Sequence, residues 1–590
     1  MCVLAAAIGA RITDLQVSDR DQSVAYGARL RDGYRVIPAG RGAIFDRSGN
    51  ALALSVAMPN VVADPAAITD PVRVADVLAP VLEADRTELI DKLGVEGSRY
   101  QVLAPTVDRE TVDAVKAAIE QHDLPGIDFE EQFVRQNPSD RLARNVVGRT
   151  YEGGRVDAEG RQGQTGIELA LDESLTGTAG RVTFEKDPNG NPIAGTPEHV
   201  EPAVPGTDVY LTLDQTLQHS AEQALIEQVR STGAQQAMAV MTRPSTGEVL
   251  AMASVARNDD DTITNTGDNR PVTTVFEPGS VNKMITIAGA MEEGLLGPDT
   301  VIDVPDHLQV ADHLFRDHDP HPTVPWSTTD ILVTSSNVGT IKIAQRLGAE
   351  GVDEYLRRFG FGTAGGSDIP GEVNGLMLPL ENWSGTSIGA IPIGQGISVT
   401  ALQMLAAYNV IANDGVYVAP KLISATDDGS GVKPSEPSDQ RRVISTETAV
   451  DVRQMLSKVV SDGTGAPAQV PGYTAFGKTG TARIPQFGGD PEDAYKDEHG
   501  RYHYESSFVG GIDGADLTII VTVQDAKTSI YGSQLAGPVF SHLASLALRR
   551  DQIPPPALTD PADRGIPELS PTARQIQGED PGLAVEPGQD

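Results

Sequence analysis

Apolar positions between residues 206 and 550 fall into two periods, one of strands and one of helices. Gln236 to Met241 and Glu248 to Ser254 are short apolar runs joined by Pro244-Ser245-Thr246-Gly247, the pattern of a hairpin. Val281, Met284, Ile285, Ala288 and Met291 recur at helical spacing, and Gly294 follows as a stop. Leu517 to Val523 predicts a further buried strand. Leu535 to Leu548 predicts an amphipathic closing helix, with Pro538 in the first turn, where its missing N–H is tolerated. Hairpin strands with long helices predict an α+β architecture, an antiparallel sheet layered with helices, and no internal repeat is evident.

Residues 23–205 are patterned differently, rich in charge and turn residues with short alternating runs and a few helices such as Thr111 to His122. Asp46-Arg47-Ser48-Gly49-Asn50 and Asp187-Pro188-Asn189-Gly190-Asn191-Pro192 predict turns. Pro202, Pro205 and Gly206 punctuate the chain before Val209 to Leu213, and the boundary between two large units is expected there. Met1 to Ala10 is apolar but shorter than the roughly 20 residues that span a bilayer, and it is expected to be the C-terminal remnant of a signal anchor. The expected division is therefore 1–22 (anchor remnant and linker), 23–205, 206–550 and 551–590. Asp427 to Gln440 is expected to be a loop, and the Pro/Asp/Glu-rich tail from Ile553 buries too little apolar surface to fold.

Composition narrows the function classes. A length of 590 residues suits two or more domains, and 39% hydrophobic with 22% charged residues is a globular balance. The net charge of -36 argues against a nucleic-acid partner, because phosphate binding needs clustered Lys and Arg. Cys2 is the single cysteine, so neither an intrachain disulfide nor a Cys-based metal site can form.

Three short motifs carry the candidate chemistry: Ser280-Val281-Asn282-Lys283, Ser335-Ser336-Asn337 and Lys478-Thr479-Gly480-Thr481. Each alone is weak, and Ser430-Gly431-Val432-Lys433 repeats the first pattern inside the expected loop, as Ser48-Gly49-Asn50 repeats the second inside a turn. Context favours Ser280, which follows Phe276-Glu277-Pro278-Gly279 and opens an apolar helix. A serine hydroxyl needs a base, and positions i and i+3 set Lys283 beside Ser280. To act as that base the lysine must be neutral, which calls for a desolvated site or a cationic neighbour such as Lys478. A helix start also offers the reacting centre free N–H groups and the positive end of the helix dipole.

These motifs resemble the S-x-x-K, S-x-N and K-T-G set of penicillin-binding proteins and serine β-lactamases. The resemblance implies a transpeptidase domain of that fold on an N-terminal pedestal. It implies Ser280 as nucleophile, Lys283 as its base, Ser335 as proton relay to the leaving amine, and Asn337 as an amide holding the lysines and the substrate peptide. Lys478, Thr479, Gly480 and Thr481 would bind substrate through its terminal carboxylate, with the N–H groups of Ser280 and Thr481 as oxyanion hole. Arg41-Gly42-Ala43-Ile44-Phe45-Asp46-Arg47-Ser48-Gly49-Asn50-Ala51-Leu52-Ala53, Gly163-Gln164-Thr165-Gly166-Ile167-Glu168 and Leu211-Thr212-Leu213-Asp214 are similar to signatures of the class B members. Phe276 to Lys283, Trp383-Ser384-Gly385, Ile391-Pro392-Ile393-Gly394-Gln395-Gly396 and Ile411 to Val416 are similar to the septal, cell-division enzymes of actinobacteria.

The implied reaction is cross-linking of cell-wall stem peptides, with β-lactams as covalent ligands. The implied partners are lipid-linked precursor strands, a membrane glycosyltransferase and divisome proteins, and the implied location is the cell membrane with the catalytic unit outside. A carboxypeptidase or β-lactamase, and a non-catalytic β-lactam sensor or division scaffold, are the alternatives. Arg41, Asp46 and Arg47 are expected to lock the pedestal fold rather than touch substrate. Gly394 and Gly396 fit a tight turn or a site role equally. Asp312, His313, Asp317, His318, Asp319 and His321 have metal-ligand chemistry but are expected to be polar crowding in a loop, and the mechanism needs no metal or other cofactor.

Overall fold

A computed structural model describes residues 32–151, 155–157, 160–187, 193, 199–366, 368–486 and 494–556. The anchor remnant at Met1 to Ala10, the turn at 188–192 and the tail from 557 lie outside the described residues.

In the second unit, helix α1 (Gln215–Thr232) leads into strands β1 (Gln236–Thr242), β2 (Val249–Arg257) and β3 (Ile263–Asn265). Helices α2 (Lys283–Glu292), α3 (Thr328–Val333), α4 (Asn337–Arg358), α5 (Ala401–Ala412) and α6 (Thr446–Ser461) follow. Strands β4 (Ala475–Arg483), β5 (Tyr504–Ile512) and β6 (Thr518–Gln524) and helix α7 (Gly537–Arg550) complete it. The strands form one six-stranded antiparallel sheet in the order β3-β2-β1-β6-β5-β4, which leaves β4 at an edge. Its central strands are buried at nearly every position because both faces are covered. Along β6, Ile519, Val521 and Val523 share a core with Leu225 of α1 and Phe540 of α7, while Ile520 joins the opposite core with Met284 of α2 and Leu405 of α5. The hairpin, the closing helix and the layered α+β plan agree with the sequence.

The first unit holds a smaller core, where the sheet of Asn60–Ala63, Gln101–Ala104 and Ile127–Glu130 packs on helices Pro71–Leu82, Arg86–Leu93 and Arg109–His122 through Val61, Leu78, Leu89, Leu103 and Val115. Each of its longer helices begins on an Asp whose carboxylate accepts a first-turn N–H: Asp70, Asp85 and Asp108.

The 427–440 stretch departs from the sequence reading. Residues 427–440 are not wholly loop, because Val432–Pro434 pairs with Ile423–Asp427 and Gln440–Arg442 pairs with Val416–Val418. Their polar, turn-rich composition hid strands that rest on backbone pairing, with side chains left in solvent. The expected boundary near 205 is bridged by a second six-stranded sheet, in the order Val432–Pro434, Ile423–Asp427, Asp208–Leu211, Ile44–Phe45, Ala51–Ala57, Phe133–Gln136. Strands from both units therefore lie side by side.

The class B-like signatures meet at this junction. Arg41 is buried and forms ion pairs with Glu168 and Asp172, both at 2.7 Å, and Arg135 pairs with the other oxygen of Glu168 at 2.7 Å. The Asp46 carboxylate closes the predicted turn by accepting from the N–H groups of Ser48 and Asn50, both at 2.8 Å, and also accepts from Gln215 N at 3.2 Å. Arg47 reaches into the second unit, pairing with Glu248 at 3.2 Å. Asp214, next in chain, caps α1 through the N–H groups of Thr216 and Leu217.

Candidate active site

Ser280 lies in a single 3-10 turn, Gly279–Asn282, that runs directly into α2 at Lys283. Side chains three apart eclipse in a 3-10 turn, so Ser280 and Lys283 share one side more closely than they would on an α-helix. The turn is braced from behind. Gly279 N donates to Gly394 O at 3.0 Å, Asn282 Nδ2 to Ile391 O at 2.8 Å, and Tyr408 Oη to Val281 O at 3.0 Å. Gly394 has φ +83°, and a Cβ there would sit 2.2 Å from the carbonyl oxygen of Gly279. The 391–396 segment is thus the bed of the Ser280 turn. Glu277 extends this brace, its carboxylate accepting from Gly396 N at 2.8 Å and from Tyr495 Oη at 3.0 Å.

Lys283 is fully buried, and its ammonium donates to the carbonyl and, at 3.2 Å, to the hydroxyl of Ser335. Burial pulls its pKa down from 10.5 to about 7, against the opposing pull of the Asp317 carboxylate. Ser335 sits between α3 and α4 with φ +60°, a left-handed conformation that is strained for a residue bearing Cβ. The neighbouring Ser336 caps α4, its hydroxyl accepting from Gly339 N at 2.8 Å. Asn337 does not bond a lysine here, because its Nδ2 donates to Arg316 O at 2.9 Å.

The third motif lies on edge strand β4. Lys478 is fully buried, with Nζ 3.3 Å from the carbonyl oxygen of Thr479, and is held well below its usual pKa by burial first and by Lys283 second. Two buried ammonium groups that repel one another favour a neutral base. The Thr479 hydroxyl meets that of Thr464 at 3.0 Å. Gly480 allows β4 to approach the Ser280 turn, since a Cβ there would lie 2.3 Å from Ser507 Oγ and 3.1 Å from Pro278 O. Thr481 follows, half-buried, and its carbonyl lies near Gly279. The repeated motif at Ser430 takes no part: Ser430 and Lys433 are exposed, and both bond Asp428.

Residues 237–545 match the penicillin binding protein transpeptidase domain, and residues 36–211 match the penicillin-binding protein dimerisation domain. The chain is 35% identical to penicillin-binding protein PbpB of Mycobacterium tuberculosis over 88% of its own length and 79% of that protein. The chain belongs to the class B penicillin-binding proteins. It is 29% identical to peptidoglycan D,D-transpeptidase FtsI of Escherichia coli, covering 93% of this chain and 90% of that one. Penicillin binding protein 3 of Mycobacterium tuberculosis, solved in complex with aztreonam, superposes with a TM-score of 0.66 at 31% identity, over 89% of this chain and 100% of that one.

In this class B protein, sequence reasoning missed the supports more than the motifs. Thr464, Tyr408 and Tyr495 carry no chemical signature in a single sequence. Glu277 lies within Phe276 to Lys283, where the resemblance assigns it no role. Asp317 and His321 have the same residue types as the exposed polar positions around them, so composition does not set them apart. Among the described residues, no group of three or more His, Cys, Asp or Glu is arranged to hold a metal ion.

Proposed function

We propose that this chain is a peptidoglycan D,D-transpeptidase that cross-links stem peptides at the division septum through an acyl-enzyme on Ser280. The observation that carries this reading is the convergence of all three motifs: a buried lysine drawn down to about 7 opens the helix after Ser280, bonds Ser335, and shares its pocket with the lysine of an edge strand. Ser280 Oγ attacks the carbonyl carbon of the penultimate D-alanine while Lys283 takes the hydroxyl proton. The N–H groups of Ser280 and Thr481 hold the developing oxyanion, and Lys478 with Thr479, Gly480 and Thr481 receives the terminal carboxylate. Asn337 borders the peptide. As the tetrahedral intermediate collapses, the C–N bond breaks and Ser335 relays a proton to the departing D-alanine amine. The amine of a neighbouring stem then attacks the ester carbonyl and gives up a proton to Lys283, which passes it to Ser280 Oγ as the ester C–O bond breaks.

The similarity to PbpB supports the septal placement, and with it lipid-linked precursor strands, a membrane glycosyltransferase and divisome proteins as partners engaged by the pedestal. It supports an N-terminal membrane anchor as well. Among the described residues no helix is long and apolar enough to cross a membrane. A labelled penicillin should form a stable adduct that mass spectrometry places on Ser280. Labelling that survives Ser280→Ala sinks the reading, and purified protein that hydrolyses stem peptides without joining them replaces it with a carboxypeptidase.

A further inference from the structure

The polar segment 312–321 is not all loop as its composition predicts: His313–Arg316 is a strand paired with His307–Val310, and Asp312, His313, His318 and Asp319 are exposed. Two members turn inward. The side chains of Asp317 and His321 are only 6% and 4% exposed, and His321 Nε2 lies 3.0 Å from Asp317 Oδ2. The same Oδ2 accepts from the Ser336 hydroxyl at 2.7 Å, and Oδ1 accepts from Val338 N at 2.9 Å. With Asn337 bonded to Arg316 O, three successive residues at the start of α4 are held by the Arg316-Asp317 pair. His321 is itself fixed, its Nδ1 2.7 Å from Pro322 O and its ring against Trp326 with centroids 4.8 Å apart.

We propose that Asp317, backed by His321, is a positioning residue for acylation: it locks the α4 start beside Ser335 and sets a fixed negative charge against the Lys283 base. The charged groups that bear on Lys283 are Asp317 from this loop and Lys478 from β4. Those bearing on Asp317 are His321 and Lys283. Burial alone would drive Lys283 to neutrality and leave it a feeble base. The carboxylate opposes that drift, so Lys283 keeps enough basicity to take the serine proton while still deprotonating near neutral pH. Hydrogen bonds from Ser336, Val338 and His321 keep the carboxylate from swinging into a full ion pair with the lysine, which would lock the proton on.

The inference rests on Lys283 being the base, and the experiment separates the two claims. The second-order rate of penicillin acylation is measured against pH for the full chain. Asp317→Asn keeps the shape and removes the charge, so the rising limb of the profile should move to lower pH by about one unit or more. Both His321 ring nitrogens face acceptors, Pro322 O and Asp317 Oδ2, so the ring donates from both; His321→Ala removes an N–H that shares the carboxylate's charge, and the limb should move to higher pH. Opposite displacements are a signature that loss of packing does not produce. A limb unmoved in Asp317→Asn, with the rate either unchanged or uniformly lowered, overturns the proposal. Should a thermal melt show Asp317→Asn misfolded, His321→Ala decides alone, and an unmoved limb again overturns it. A wild-type profile with no limb near pH 7 overturns the catalytic reading and this inference together.

Discussion

Lys283 and Lys478 place two buried amines in one pocket, and function and stability pull on them in opposite directions. A lysine with a folded pKa near 7 and an unfolded value of 10.5 binds fewer protons folded than unfolded between those limits, so stability rises with pH across that window. Lys283→Met removes this penalty. The variant should be dead in acylation yet melt higher than wild type, by on the order of a few kcal/mol at pH 7, with the gain fading toward pH 10. Thermal melts across pH test the sign. Lys478 carries the electrostatics of the reacting centre rather than the proton transfer. Lys478→Ala should slow acylation about 10²-fold or more without unfolding the domain, and Lys478→Arg should recover only part of the loss because its planar donors differ in shape. Acylation of Lys478→Ala at the wild-type rate would remove the third motif from the site. The residue types were legible in the sequence, and the chemistry called for a neutral Lys283, but the burial that depresses both lysines was not legible, because burial is a property of the packed core.

The nucleophile turn is an element built by its neighbours. Gly279–Asn282 has no capping side chain of its own, and its hydrogen bonds run to the 391–394 segment and to Tyr408 of α5. Gly394 is the point of closest approach. Gly394→Ala forces a Cβ to within 2.2 Å of the Gly279 carbonyl and a side chain into a left-handed φ, so the turn must shift. The expected result is a loss of more than about 1 kcal/mol of stability and a fall in acylation of about 10²-fold, because small misplacements of a nucleophile are amplified in rate. A melt combined with acylation kinetics checks both, and a variant that acylates normally shows that the bed does not set the turn. In the sequence this glycine fitted a tight turn and a site role equally. The structure makes it a turn that serves the site, a distinction set by a contact more than 100 residues away in the chain.

Across the whole molecule, the shared sheet joins pedestal and catalytic unit, with the Arg47–Glu248 pair and the Asp46–Gln215 hydrogen bond across the same junction. The Arg41, Glu168, Asp172 and Arg135 side chains lie in the pedestal, but the strands beside them continue into Asp208–Leu211 and Ile423–Asp427. Arg41→Met leaves Asp172 without its cation and Glu168 with half its pairing, which should lower stability by about 3 kcal/mol or more. Penicillin acylation per folded molecule should stay near wild type, since the Arg41 side chain bonds only Glu168, Asp172 and Thr176 and touches none of the three motifs. Denaturant melts with parallel labelling measure this. A selective loss of labelling at full stability would mean that the pedestal acts on the site directly.

From the sequence alone came the α+β plan, the hairpin, the closing helix, and the three motifs with their chemical order. Each rests on local periodicity or on residue type, which neighbouring residues suffice to express. The tertiary structure decided what depends on distant partners. It placed Ser280 in a 3-10 turn and sent Asn337 to Arg316 rather than to a lysine. It turned two residues of a polar loop into buried support for α4, and it carried a sheet across the expected boundary at 205. Hydrogen bonds between segments far apart in the chain, and the desolvation that packing imposes, have no signature in the order of residues.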